Sequence, residues 1–187
     1  MDIAADGPGL VVPSRFGPEH ASEDAALVRR AGEGDAAAFT RLYDRYVRMV
    51  HGLLLARVDR AEVEDLVQDV FLLAWRRLDR LRDPAAFGGW IATIARNRAT
   101  DFHRRAPAAE ELPEHLIASD ATAARAEALA ALAVIRTLPE AYRETLVLRL
   151  VEGMTGPEIA ERTGLTPASV RVNLHRGMKL LREKLEP

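Results

Sequence analysis

Three groups of side chains in this sequence have types and spacings suited to recognising other macromolecules. The first lies near the C-terminus. Arg171, His175 and Arg176 face away from a helical apolar stripe of Val170, Leu174, Met178 and Leu181, with Asn173 at the flank and Lys179 one turn beyond. Arginine pairs bidentately with guanine and asparagine with adenine in the major groove, so Arg176 and Asn173 are the expected base readers. Arg171 and Lys179 are divided between base, phosphate and simple solvation. The second group is Asp65, Gln68, Asp69 and Leu72, which are three, four and seven residues apart and so share a helix face with Trp75 close by. An acidic stripe is ordinarily a solvated surface. It would repel DNA, so a functional role for it implies a protein with basic residues. The third mixes aromatics with cations: Trp90, Arg96, Asn97, Arg98, His103, Arg104 and Arg105. This pairing suits phosphates and unstacked bases, although a lone Trp90 would more often be core.

Helices must position all three groups. Thr155-Gly156-Pro157-Glu158 fits a capping box with proline in the first turn. Gly164 can take the left-handed conformation that ends a helix, Leu165 is a buried plug, and Thr166-Pro167 begins a second helix. Ala160 is small where the two helices would cross, and Ser169 lies in the first turn of the second. Caps, glycine turn and apolar stripe fall in register as a helix-turn-helix, from Thr155 to about Lys184.

Upstream, Asp35 is placed to cap a helix with apolar residues from Phe39 to Leu54 at helical spacing. A polar turn near 57–60 leads to a second helix, from about Val63 to Leu81. Asp83-Pro84 starts a third, which runs to about Arg105 and has a possible bend at Gly88-Gly89. A short helix from Ser22 to Ala31 precedes these. No stretch alternates with period two, so the fold class is all-α.

The expected organisation is a flexible tail over residues 1–22, a helical domain over 23–106, an acidic linker over 107–121 and a helix-turn-helix domain over 122–187. The 187-residue chain is 48% apolar and 29% charged, the balance of a folded protein. Its net charge is −2, with the acidic excess in the tail and in residues 107–136. Affinity driven by phosphates alone would be modest, so a partner that contributes binding is expected. There is no cysteine, which excludes disulfides and thiolate metal sites. No apolar run is long enough to span a bilayer. Asp2 and Asp6 stand where a secretory signal would be positive, so the expected location is the cytoplasm.

With these residues in view, the chain resembles the bacterial extracytoplasmic-function (ECF) sigma factors of the sigma-70 family. Asp65-Leu66-Val67-Gln68-Asp69-Val70-Phe71-Leu72-Leu73-Ala74-Trp75 resembles their polymerase-binding helix. Phe87-x-x-Trp90-Ile91-x-x-Ile94-Ala95-Arg96-Asn97 resembles their promoter-melting segment. Leu138-Pro139, with the helix-turn-helix ending His175-Arg176-Gly177, resembles their second domain. The match covers about residues 23–185.

The resemblance implies a sigma-2-like bundle and a sigma-4-like domain joined by the flexible linker. It implies that Asp65, Gln68, Asp69 and Leu72 meet the clamp helices of the largest subunit of core RNA polymerase. The second domain would meet the flap of the second-largest. Arg80, Arg82, Trp90, Arg96, Asn97 and Arg104 would capture and unstack the minus-10 promoter element. Thr166, Ser169, Arg171, Asn173, His175, Arg176 and Lys179 would serve the minus-35 element. The linker would occupy the RNA channel, the regulon would be one of stress or envelope response, and an anti-sigma protein is a further implied partner. Where many members carry a basic-Ser-Arg run on the recognition helix, this chain has Arg171-Val172-Asn173. No cofactor is implied.

The competing reading is a conventional helix-turn-helix regulator acting without polymerase. A sensing domain, however, needs neither the acidic helix nor the aromatic-cation helix. An enzyme is disfavoured: no histidine follows a glutamate by three residues, as carboxylate metal bundles require, and no Walker loop, nucleophile elbow or HExxH appears.

Overall fold

The computed structural model describes residues 18–105 and 123–185, and among these every regular element is helical. The expected linker and most of the expected tail lie outside the described residues. The helices are α1 (Pro18–Gly32), α2 (Ala36–Leu55), α3 (Arg60–Arg76), α4 (Phe87–Arg105), α5 (Ala123–Arg136), α6 (Glu140–Leu150), α7 (Gly156–Thr163) and α8 (Pro167–Leu185).

Helices α3 and α4 begin about three residues from their expected starts, at Arg60 and Phe87, and two boundaries differ by more. Helix α1 starts at Pro18 rather than Ser22, with the proline in the first turn. Helix α3 stops at Arg76, five residues before Leu81, and a single 3-10 turn, Leu78–Arg80, follows. Leu78 is still buried, so the apolar spacing carries on past the point where the α-helix ends.

The cap predicted at Asp35 is present, its side chain accepting from the Ala38 amide at 3.0 Å. That bond, with the Arg30 guanidinium beside it, holds the Asp35 carboxyl below its usual range. Helix α2 is the central element of the N-terminal half, with Leu42, Met49, Val50, Leu53 and Leu54 fully enclosed. Helices α1, α3 and α4 pack around it. Tyr46 stacks edge-on against Phe87 at 5.1 Å and pairs through its hydroxyl with the buried Asp24 carboxylate. Helix α4 is preceded by a short 3-10 turn, Pro84–Ala86, which Asp83 caps through the Ala85 amide. Gly88 and Gly89 lie inside α4.

The two halves do not merely hang on a tether. Helix α6 packs on α2, and α7 packs on both α4 and α2. Buried apolar residues from Leu27 to Leu181 form one continuous cluster running through both halves.

Candidate nucleic-acid and polymerase interfaces

The helix-turn-helix forms as its sequence dictates. Glu158 Oε2 accepts from the Thr155 amide at 2.7 Å, and Thr155 Oγ1 accepts from the Glu158 amide at 3.4 Å, completing the capping box. Burial alone would raise the Glu158 carboxyl, but the Thr155 hydrogen bonds and nearby Arg162 outweigh it and hold the group below its ordinary value. Gly164 adopts φ +75° and donates its amide to Ala160 O. In that conformation a side chain would be strained.

Thr166 then caps α8. Its hydroxyl accepts from the Ser169 amide at 3.1 Å and lies 2.8 Å from the Ser169 hydroxyl. Val170 and Leu181 are buried and Leu174 and Met178 partly so, which confirms the stripe. Gly177 is buried at the crossing of α8 with α6, against Leu146 and Tyr142. Arg171, His175, Arg176 and Lys179 stand exposed on the opposite side, with Val172 among them. Lys179 reaches Glu183 at 3.8 Å. Beside this face, Leu150, Leu174 and Met178 line a groove of about 590 Å³ rimmed by Arg149, His175, Lys179 and Arg182. The sequence reading missed this groove. Its one available signal was the adjacent pair Leu150-Val151 at the end of α6, both about half exposed.

On α3, Asp65, Gln68, Asp69 and Leu72 share an exposed face as expected. Asp69 does not act alone, because it forms an ion pair with Arg98 on α4. An apolar edge flanks the acids. Leu72 is 53% exposed and Trp75 and Tyr43 are each 37% exposed, with Trp75 stacked edge-on against Phe39 at 4.7 Å. Tyr43 was not singled out from the sequence, where it reads as one more apolar residue of α2.

The α4 group is only partly displayed. Arg80, Arg82 and Asn97 are exposed, and Trp90 is half-buried beside Phe87 at 5.9 Å. Arg104 pairs with Asp101 at 2.8 Å. Arg96 is different. Its Nε and Nη2 donate to the two carboxylate oxygens of Glu144 on α6, at 2.9 and 3.0 Å. Arg57 pairs with the same carboxylate and with Glu140. Asn173, expected on the flank of α8, is half-buried and lines a cleft of about 410 Å³ together with Arg96 and Glu144. The arrangement therefore brings Arg96 of the α4 group and Asn173 of the α8 group to the lining of one cleft.

Comparison with known proteins agrees with this pattern. Residues 42–108 match the model of Sigma-70 region 2, and residues 128–181 match that of Sigma-70, region 4. The ECF RNA polymerase sigma-E factor of Haemophilus influenzae is 32% identical over 183 residues, covering 88% of this chain and 96% of its own. The factor of the same name from Escherichia coli (strain K12) is 29% identical over 186 residues, with 88% and 95% covered. The solved structure of CnrH in complex with the cytosolic domain of CnrY aligns with a TM-score of 0.62 at 27% identity, covering 88% of this chain and 97% of that one.

A bundle of the region 2 type followed by a helix-turn-helix of the region 4 type defines a sigma factor of the sigma-70 family. The chain belongs to its ECF branch and directs promoter-specific initiation of transcription. A conventional regulator would not account for the region 2 match. The family is one of initiation factors, not enzymes, and among the described residues no group of side chains could hold a metal ion. Among the described residues no helix is long and apolar enough to cross a membrane.

Proposed function

We propose that residues 23–106 engage core RNA polymerase and the melted minus-10 element, that residues 122–187 read the minus-35 element, and that 107–121 joins them through the RNA channel. Asp65, Gln68, Asp69 and Leu72 meet the clamp helices of the largest subunit, with Trp75 and Tyr43 extending the contact. Arg80, Arg82, Trp90, Arg96, Asn97 and Arg104 hold the unstacked strand. Aromatic stacking and arginine contacts offset an opening cost of a few kcal/mol per step. Thr166 and Ser169 set the start of α8. Arg171, Asn173, His175, Arg176 and Lys179 face the upstream duplex, and the second domain contacts the flap.

The observation that carries this reading is the division of α8. Its buried stripe is braced by α6 while its cations stand exposed together on the other side. An anti-sigma protein as a further partner is supported by the likeness to CnrH, solved with the cytosolic domain of CnrY. The setting is the cytoplasm, and the regulon is one of stress or envelope response. Transcription in vitro from a randomised promoter library with core polymerase tests the whole. Selective initiation at a defined upstream and downstream pair is the expected result, and a start-site profile identical with and without the protein refutes it.

A further inference from the structure

Val172 is an apolar residue set in the middle of the cationic face of α8. It is the sixth residue of that helix and is 41% exposed. At about 100° per residue it points roughly 165° away from the mean direction of the stripe formed by Val170, Leu174, Met178 and Leu181. Ser169, His175 and Arg176, three and four residues away, are its neighbours on the helix surface, and all are exposed. Valine is a weak helix former, so neither packing nor propensity explains its place. A protein-docking patch takes on the order of 300 Å² or more of contiguous apolar surface, far beyond one partly exposed valine. Val172 also lies outside the groove lined by Leu150, Leu174 and Met178.

We infer that Val172 reads the C5 methyl of a thymine in the upstream element and so sets one base of this chain's promoter preference. The inference rests on the assignment of α8 to the minus-35 element given above. In the major groove every base pair displays hydrogen-bonding groups, and thymine alone adds an apolar one. A valine side chain has no donor or acceptor, so phosphates and the other base edges offer it nothing. Placed over the amino group of cytosine, it would cover a donor without replacing the hydrogen bond to water, which costs binding. The same residue thus favours thymine and disfavours its competitor.

Position and stiffness suit this role. The N-terminal residues of a recognition helix reach the base edges, and Val172 falls in the second turn of α8. A β-branched side chain in a helix holds essentially one χ1 rotamer, so both methyls are already placed and little freedom is lost on contact. Arg176 stands one turn further on. Residues at that spacing have Cβ atoms about 5–6 Å apart, and base pairs follow one another every 3.4 Å or so. The thymine therefore lies within about two base pairs of the position that Arg176 reads.

The test uses holoenzyme, the full chain with core polymerase, selected on promoter duplexes randomised across the upstream element. Each preferred thymine is then replaced by deoxyuridine, which lacks only the C5 methyl and keeps every hydrogen bond. One replacement, within about two base pairs of the position relaxed by Arg176→Ala, should weaken binding about fourfold, the worth of one buried methyl. In Val172→Ala holoenzyme the same replacement should cost less than about twofold. That variant removes only exposed atoms and improves helix propensity, so α8 still folds. Val151→Ala, at a valine that is 48% exposed at the end of α6, should keep the whole effect. No preferred thymine near the Arg176 position, a deoxyuridine scan without effect there, or an equal loss in Val172→Ala and wild type overturns the inference and leaves minus-35 reading by α8 intact. A holoenzyme that selects no upstream base overturns the assignment of α8, and the inference with it.

Discussion

Replacing Gly177 by alanine sets two effects of similar size against each other, and the structure decides which prevails. In an open helix the change would stabilise by about 1 kcal/mol, because glycine is the poorer helix former. Here the new methyl would lie 3.1 Å from Leu146 Cδ1, 3.2 Å from Leu146 Cγ and 3.2 Å from Tyr142 Cβ. Leu146 is completely enclosed, and a Cβ cannot move without its backbone, so α6 and α8 must part by a few tenths of an ångström. Overpacking of this kind costs roughly 1–3 kcal/mol. The balance is a net loss of about 1 kcal/mol, which for a chain of this size lowers Tm by about 2–4 °C. Because α6 braces the recognition helix, binding to a minus-35 duplex should also weaken several-fold. Gly32→Ala is the matched control, since nothing lies within 4 Å of its Cβ position, and there stability should hold or rise by up to about 1 kcal/mol. Urea and thermal unfolding followed by circular dichroism, with duplex titrations alongside, read both variants. A Gly177→Ala protein as stable as wild type would refute the packing argument.

Asp65→Arg should weaken binding to core polymerase by reversing charge on the exposed α3 face while leaving helix content intact; unchanged affinity in a pull-down titration would remove that face from the interface. Arg176→Ala should relax preference at one upstream base pair by about 1–3 kcal/mol, whereas Lys179→Ala should weaken all sequences alike and reduce the salt slope by about one. Binding-site selection at several salt concentrations separates the two. His51 faces Glu152, with Arg48 beside that acid and Glu64 and Arg60 nearby. The Glu152 hydrogen bond outweighs the opposing effect of burial and raises the imidazole above its usual value. A raised folded-state value means this contribution to the docked form is complete below about pH 6.5 and is lost as pH rises through the raised value. Stability measured by urea unfolding should therefore lose this contribution above that range. His51→Gln should remove the dependence, and a profile unchanged by His51→Gln would refute this source.

Much of this was legible because it is local. The caps at Asp35, Thr155 and Thr166, the turn at Gly164 and the stripe of α8 are each set within a few residues, and all formed as read. The exposed α3 face followed from spacing alone. The end of α3 was misread because Leu78 and Leu81 keep apolar spacing beyond the last α-helical turn. The docking of the halves was invisible to periodicity, since Arg57 and Glu144 are far apart in sequence and each looks like an ordinary surface charge. A signal did exist. Gly52 and Gly88 sit inside helices, where glycine costs about 0.5–1 kcal/mol relative to alanine, and both mark places where the other half comes close. Gly88 and Gly89, which the sequence offered as a possible bend, lie where Arg162 and Gly164 approach α4.

The guanidinium of Arg136, at the end of α5, donates from Nε to Leu55 O at 3.2 Å and from Nη2 to Val58 O at 2.7 Å. Those carbonyls belong to the last turn of α2 and the residues just after it, where a helix has no internal donors left and a cation is favoured by the dipole. One half of the molecule thus finishes a helix of the other. The amides of Ala56, Arg57 and Val58, bonded back to Gly52 and Leu54, become a built-in gauge of association. Their exchange with deuterated solvent should quicken in an Arg136→Ala variant that lacks this cap, while the amides around Met49 and Val50 report only global unfolding.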